Sequence, residues 1–144
     1  MGNNQSIHHN ISFEDVQQLL TSSTKFLLIN TLSTMEQNCL IQGTLHASQE
    51  EDTINNFLQN RQTNVGIVVY GKNANDTSAY IKHQELRKMG FSRSFLYPGG
   101  LFEWLLLQDI YGFEEFPTTT KELDILKFKP SRGINQQVNL LEYV

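Results

Sequence analysis

The chain has 144 residues, a formal net charge of −4 and one cysteine. Hydrophobic residues make up 39% of it, so it can build the core of one domain and is too apolar to be disordered throughout. No apolar stretch reaches the ~18 residues of a transmembrane helix, and one cysteine excludes an internal disulfide and a cysteine-based zinc site.

The N-terminal third predicts a tail, a helix and a buried strand. Residues 1–10 are polar and predict a tail. Ser12 and the aspartate three residues later have the spacing of a capping box, and apolar residues at helical intervals predict a helix over residues 13–21. The apolar run FLLIN at residues 26–30 predicts a strand buried on both faces, as in a parallel sheet. Residues 31–50 predict irregular structure with one short strand.

The middle of the chain alternates between strand and helix patterns. We expect the short strand near Leu45 and a helix over residues 51–60, which carries one apolar face. Residues 65–70, VGIVVY, form the strongest strand pattern because they are apolar and rich in β-branched side chains. The loop GKNAND at residues 71–76 follows, and it leads into a helix predicted over residues 77–89.

The next part of the chain repeats the alternation once more. Gly90 is typical of a residue that ends a helix, and a short strand is predicted over residues 94–97. A Pro-Gly-Gly turn precedes a helix predicted over residues 101–109, which Gly112 breaks. The order of elements predicts a three-layer α/β domain, with a mostly parallel sheet and helices on both faces.

We divide the chain into three parts. Residues 1–10 are the polar tail, residues 11–116 form the domain and residues 117–144 form a C-terminal extension. The apolar residues of the extension fit either a helix or an extended arm that packs back on the domain, and the pattern does not choose between them.

Five motifs occur in a fixed order along residues 11–111. A strand ends in Tyr70, a six-residue loop opens a helix that ends in Gly-Phe, and the motif Gly-Gly-x-x-x-Trp follows at residues 99–104. Upstream, residues 28–32 and 39–44 are similar to a Leu-Ile-Asp-Val-Arg strand end and a Gly-His-Ile-Pro-Gly-Ala turn. In this order the motifs resemble the rhodanese-like domain family, which implies the same three-layer α/β fold.

The resemblance also implies where a catalytic group belongs. In active members the first residue of the loop is a cysteine, which takes up a sulfane sulfur as a persulfide or, in the phosphatase branch, attacks phosphorus. Here that position is Gly71, and the acid and base of the family's upstream strand end are replaced by Asn30 and Leu32. Sulfur transfer needs a thiolate, so we expect no catalytic residue and no enzyme activity. The degenerate loop consists of Gly71, Lys72, Asn73, Ala74, Asn75 and Asp76.

The loop itself leaves two interpretations open. Amides at a helix N-terminus attract anions, which favours a retained anion-binding pocket. Asp76 would oppose an anion there, which favours an empty, vestigial loop. Thr77 and Ser78 follow at the start of the helix, where capping explains them better than catalysis.

Other reactive side chains have ordinary explanations. We expect Cys39 to be a small packed side chain rather than a substitute nucleophile. His46 and His83 have no acidic partner at a telling spacing, so we expect packed or surface histidines. His8 and His9 lie on the polar tail, which makes a poor metal site, and we expect neither a metal nor a cofactor.

Residues 101–116 are strongly apolar, with ten apolar residues in sixteen. Such a helix is covered by its own chain or by a partner. We assign Trp104 to the core and name Leu106, Leu107 and Tyr111 as candidates for contact with a partner protein or with the C-terminal extension.

The first six residues fit the N-myristoylation pattern, with Gly2 as the acceptor and Ser6 as the small hydroxyl residue. The alternative is an ordinary polar tail. Because no Lys or Arg precedes Lys25 and one acyl chain binds membranes only marginally, we expect at most a weak membrane association through Gly2.

These observations favour a catalytically inactive rhodanese-like domain that binds or regulates another, unidentified protein. The alternatives are a sulfur- or phosphate-handling enzyme that uses a partner's thiol, or a myristoylated, membrane-tethered adaptor. The acidic balance and scattered basic residues argue against nucleic-acid binding. The single cysteine and the lack of a secretory signal favour a cytoplasmic location, with membrane association through Gly2 as an option.

Overall fold

The computed structural model describes residues 9–133 of the chain. Within this part no helix is both long enough and apolar enough to cross a bilayer. The helices and strands alternate in chain order as α1 (Phe13–Thr21), β1 (Phe26–Asn30), α2 (Ala47–Gln59), β2 (Gly66–Tyr70), α3 (Thr77–Lys88), β3 (Ser94–Tyr97) and α4 (Gly100–Tyr111), with short 3-10 helices at Thr34–Glu36 and Ile125–Phe128.

The three strands form one parallel sheet in the order β1-β2-β3. Every residue of the central strand β2 is buried, as its continuous apolar sequence predicts. Single bridges extend both edges of the sheet, because Asn10 pairs beside Leu96 and Thr44 pairs beside Leu28. The short strand that the sequence predicts near Leu45 is therefore reduced to one bridge at Thr44.

Each face of the sheet carries its own apolar core. Alternate residues of a strand point to opposite faces. Accordingly, Val68 joins a cluster with side chains of α1 and α4, whereas Ile67 and Val69 join a cluster with side chains of α2 and α3. Helices thus cover both faces, and the predicted three-layer α/β architecture is confirmed.

The ends of the helices follow their capping residues. Ser12 and Asp15 form the predicted capping box at the start of α1, with a bond of 2.9 Å from the Ser12 amide to the Asp15 carboxylate. Helix α2 begins at Ala47, four residues before its predicted start, because the ring of His46 accepts a bond of 3.2 Å from the Ser48 amide. Helix α4 extends two residues beyond its predicted end and reaches Tyr111.

The chain after α4 forms an arm of turns and bends with one 3-10 helix, rather than an α-helix. Thr118 bridges Ile41 in antiparallel fashion, and the Trp104 indole donates a bond of 3.1 Å to the Pro117 carbonyl. Farther along, Phe128 belongs to the core cluster that contains side chains of the sheet and of α4, and it is 1% exposed. The described part of the C-terminal extension is therefore packed on the domain.

Candidate functional site

The loop at residues 71–76 joins the carboxyl end of the central strand β2 to the start of α3. Ligands of open α/β sheets bind at the carboxyl ends of the strands, so a binding site in this fold is expected at this loop. A cavity of about 130 Å³ lies there and is lined by loop residues together with Tyr80, Tyr97 and Pro98.

The carboxylate of Asp76 is turned into the loop. Its Oδ2 accepts a bond of 2.9 Å from the Lys72 amide, and its Oδ1 accepts bonds from the amide and hydroxyl of Ser78 at 3.0 and 2.6 Å. Burial raises the pKa of Asp76, but these bonds and the Lys72 charge outweigh it and hold the pKa below its usual value. The loop therefore surrounds a carboxylate that is ionised at neutral pH.

A side chain at Gly71 would displace the carboxylate of Asp76. A Cβ atom built at this buried position would lie 2.7 Å from Oδ2 of Asp76 and 3.2 Å from the Cβ of Ala79. Atoms this close must move apart before a side chain fits. The space next to Gly71 is thus filled by the carboxylate of Asp76.

The Gly-Gly motif brings the start of α4 against the same loop. Gly100 has a φ of +70° and lies so close that a Cβ there would meet the Gly71 carbonyl oxygen at 2.8 Å. As a result, the amides of Leu101 and Phe102 each donate a bond of 2.9 Å, to the carbonyls of Gly71 and Lys72 respectively. The first amides of α4 are therefore bonded to the chain itself.

Two further contacts hold the loop from outside. The Lys72 ammonium pairs with the Glu36 carboxylate at 2.8 Å, and its hydrogen bond lowers the pKa of Glu36. The Asn73 side-chain amide donates a bond of 2.9 Å to the Phe128 carbonyl of the arm. The loop is thus braced by the 3-10 helix Thr34–Glu36, the arm and α4.

Structural comparison identifies this architecture. The structure is similar to the crystal structure of the Alr3790 protein from Anabaena sp., with a TM-score of 0.56 and 21% identity over 92% of this chain and 91% of that one. It is equally similar to the solution NMR structure of the Rhodanese-like domain of Alr3790, with a TM-score of 0.56 and 22% identity over 87% of this chain and 86% of that one. The chain has the rhodanese-like fold.

A third similar structure is the anaerobic ergothioneine biosynthesis enzyme from Chlorobium limicola, in complex with trimethyl histidine. Its TM-score is 0.50 and its identity is 19%, over 90% of this chain and 32% of the enzyme. No protein-family profile matches the sequence, and no curated protein matches it. The fold class implied by the sequence motifs is confirmed by these structural likenesses.

The remaining reactive side chains of the described chain are packed or bonded. Cys39 is 5% exposed, and its thiol lies 3.3 Å from the Thr120 carbonyl. His83 is buried with its Nδ1 atom 2.9 Å from the Ser94 hydroxyl, and burial lowers its pKa to about 4. Within residues 9–133 no three His, Cys, Asp or Glu side chains are grouped as metal ligands.

The two replaced positions at the end of β1 have structural roles. The side-chain oxygen of Asn30 accepts a bond of 3.0 Å from the Leu32 amide and another of 2.8 Å from the Gln37 side chain. Leu32 itself is buried in the core beside α1 and α4. Both residues therefore support the turn after β1.

The candidates on α4 divide into core and surface. Trp104 is fully buried, as predicted. Leu106 is 39% exposed and Tyr111 is 65% exposed, whereas Leu107 is half-buried against the core. Gly2, the candidate acyl acceptor, lies outside the described residues.

The sequence pattern missed a groove between α1 and the end of α4. Its apolar part has a volume of about 340 Å³ and is lined by Phe13, Gln17, Leu107, Tyr111, Glu115 and Phe116. Helical periodicity identifies Phe13 and Leu107 as apolar positions. It does not show that α1 and the end of α4 lie next to each other, because that contact depends on the tertiary fold.

Proposed function

We propose that this chain is a non-catalytic rhodanese-like domain that acts as a protein-binding or regulatory module. One observation carries the proposal: the position at which the sequence resemblance expects a nucleophile is Gly71, and the carboxylate of Asp76 fills the space beside it. Covalent sulfur transfer requires a thiolate at the reacting position, and glycine has no side chain to supply one.

The electrostatics of the loop support the same proposal. The bonds from Lys72 and Ser78 keep Asp76 ionised at neutral pH. A fixed negative charge raises the pKa of a neighbouring thiol and repels an anionic sulfur or phosphorus substrate. A thiol brought by a partner protein would meet the same carboxylate.

The exposed side chains of α4 support a binding role. Leu106, Ile110 and Tyr111 are 39%, 69% and 65% exposed, although each is large and apolar. Large apolar side chains grouped on one helix are typical of interaction sites. The part of the arm that the structure describes, up to residue 133, leaves these three side chains exposed.

The absence of catalysis is tested with thiosulfate sulfurtransferase and phosphatase assays on the full chain. We expect turnover indistinguishable from a blank, and intact-mass analysis of Gly71→Cys after thiosulfate treatment should detect no added sulfur. Turnover above the blank that survives Cys39→Ser would contradict the proposal.

The binding role is tested by affinity capture from the native host with the wild-type chain and two variants. We expect a partner that the wild type and the control Ile81→Ser retain and that Leu106→Ser/Tyr111→Ser loses. Ile81 is a matched control because it is 53% exposed and lies on α3, on the other side of the sheet. Equal capture by both variants would exclude α4 as the binding surface.

A further inference from the structure

Two pockets adjoin each other between α1 and the turn after α4. The first is the apolar pocket of about 340 Å³ described above. Its aromatic wall is continuous, since the ring of Phe116 lies 5.7 Å from that of Phe13 and 6.3 Å from that of Tyr111. Such a pocket suits one large apolar side chain.

The second pocket is larger and acidic. It has a volume of about 700 Å³, and Glu114 and Glu115 contribute its charged side chains. Both pockets are bounded by Gln17 and Glu115, which are joined by a bond of 2.8 Å from the Gln17 side chain to the Glu115 carbonyl. The two pockets therefore lie side by side on this shared wall, and together they are named the groove, with an apolar end and an acidic end.

The negative charge of the groove is not neutralised by the described part of the chain. Neither Glu114 nor Glu115 forms an ion pair with any residue between positions 9 and 133, and no Lys or Arg lines either pocket. An unbalanced pair of carboxylates attracts a cationic group.

We propose that this groove binds a peptide segment of another protein that carries a large apolar side chain within a few residues of Lys or Arg. The apolar side chain enters the pocket formed by Phe13, Tyr111 and Phe116, and the cation lies against the acidic end. This inference rests on the proposed binding function and adds the chemistry of the partner. Burial of one such anchor commonly supplies much of the binding energy of a small interface.

Charge argues against the chain's own ends as the occupant. Residues 134–144 contain apolar side chains but no Lys or Arg, and Glu142 adds a negative charge. Residues 1–8 contain no Lys or Arg either. A basic segment of a different protein complements the groove better than either end of this chain.

The experiment is a phage-display selection of random peptides of about 12 residues against the full chain. We expect enrichment of sequences that combine a large apolar residue with nearby Lys or Arg. A selected peptide is then synthesised with a fluorophore, and its affinity is measured by polarisation. We expect Tyr111→Ser and Glu115→Gln each to weaken binding at least about fivefold.

Matched control variants are available on α3. Ile81→Ser removes an exposed apolar side chain and Glu85→Gln removes an exposed carboxylate, and both should leave the affinity within about twofold. Thermal melts establish that all four variants are folded. Raising the salt concentration should weaken the wild-type complex, because the acidic end contributes through charge.

The possible outcomes distinguish failure of the groove proposal from failure of the proposed binding function. Peptides that bind but are insensitive to Tyr111→Ser and Glu115→Gln would overturn the groove while leaving a binding module in place. An acidic or purely apolar consensus would overturn the proposed partner chemistry. Tighter peptide binding after deletion of residues 134–144 would identify the chain's own end as the occupant and also overturn the inference.

Discussion

A side chain at position 71 and the carboxylate of Asp76 would occupy the same space. The energetic coupling between substitutions at these two positions can therefore be measured. A Cβ at position 71 would lie 2.7 Å from Oδ2 of Asp76, and that oxygen is held by the Lys72 amide. We therefore expect Gly71→Ala to lower the free energy of unfolding by about 1–3 kcal/mol, as overpacking does. Urea denaturation measures this loss.

The matched background is Asp76→Ser, because serine keeps a capping oxygen and removes the carboxylate. In the Asp76→Ser background, Gly71→Ala should lower the free energy of unfolding by clearly less than it does in the wild-type chain. The double-mutant cycle should therefore give a nonzero coupling energy. Additive effects of the two substitutions would show that Asp76 does not fill the space next to position 71.

Because His83 is buried, we expect the protein to lose stability in mild acid. Its pKa is lowered to about 4 in the folded protein, first by burial and then by the charges of His9 and Arg87. The unfolded chain, with an ordinary pKa of about 6.5, binds the proton more readily. The contribution of His83 to the free energy of unfolding is therefore fully present above about pH 6.5. It is lost as the pH falls toward the folded pKa of about 4.

Between about pH 7 and pH 5 this histidine should remove roughly 1–2 kcal/mol of stability. Urea denaturation at both pH values measures the difference, and His83→Gln should reduce it. An unchanged pH dependence in His83→Gln would assign the acid sensitivity to other groups.

Helix α4 has one side that is buried in the core and one side that is exposed to solvent. Trp104 is fully buried, and its ring centroid lies 5.0 Å from that of Phe116. Trp104→Ala should therefore lower the free energy of unfolding by about 3–5 kcal/mol. The control Leu106→Ala, on the same helix but 39% exposed, should cost less than about 1 kcal/mol. A small loss for Trp104→Ala in chemical denaturation would contradict this division.

The elements that the sequence predicted well are those whose signal is local. Strand β1 and helix α1 begin and end where predicted, because an apolar run and a capping box are contained in the segments themselves. The start of α2 was missed because histidine is not a common capping residue, although His46 serves as one here.

The candidate site was predictable only in part. The sequence singled out Gly71 and Asp76 as unusual loop residues, but their closeness depends on the path of the loop. The bond between the Asn73 side chain and the Phe128 carbonyl joins residues 55 positions apart, and no local pattern reports such a contact. The groove likewise arises from α1 and the turn after α4, which are distant in the chain.

The arm makes a prediction for the whole molecule. Deletion of residues 117–144 removes Phe128 from the core and exposes Trp104 and Phe116. We expect this truncation to lose at least about 3 kcal/mol of stability or to fail to fold. Deletion of residues 134–144 alone keeps the described part of the arm and is the matched comparison for this truncation. A stable monomer without residues 117–144 would show that the arm is dispensable.

The N-terminal sequence makes a separate prediction about modification. We expect Gly2 to be myristoylated after removal of Met1, since Gly2 and Ser6 have the required spacing. Membrane association should be weak, with a constant of about 10⁴ per molar for one chain. Intact-mass analysis after co-expression with the acyl transferase measures the modification, and Gly2→Ala is the negative control. An unmodified mass would refute the prediction.

The first described residues and the loop at residues 71–76 lie at opposite ends of the strands. Asn10 pairs in parallel with Leu96, and His9 packs against His83 beside the start of β3. The described chain therefore begins near the amino end of the strands, whereas the loop at residues 71–76 lies at their carboxyl end. A domain held at residue 9, on a membrane or on a sensor chip, would turn its loop away from the point of attachment.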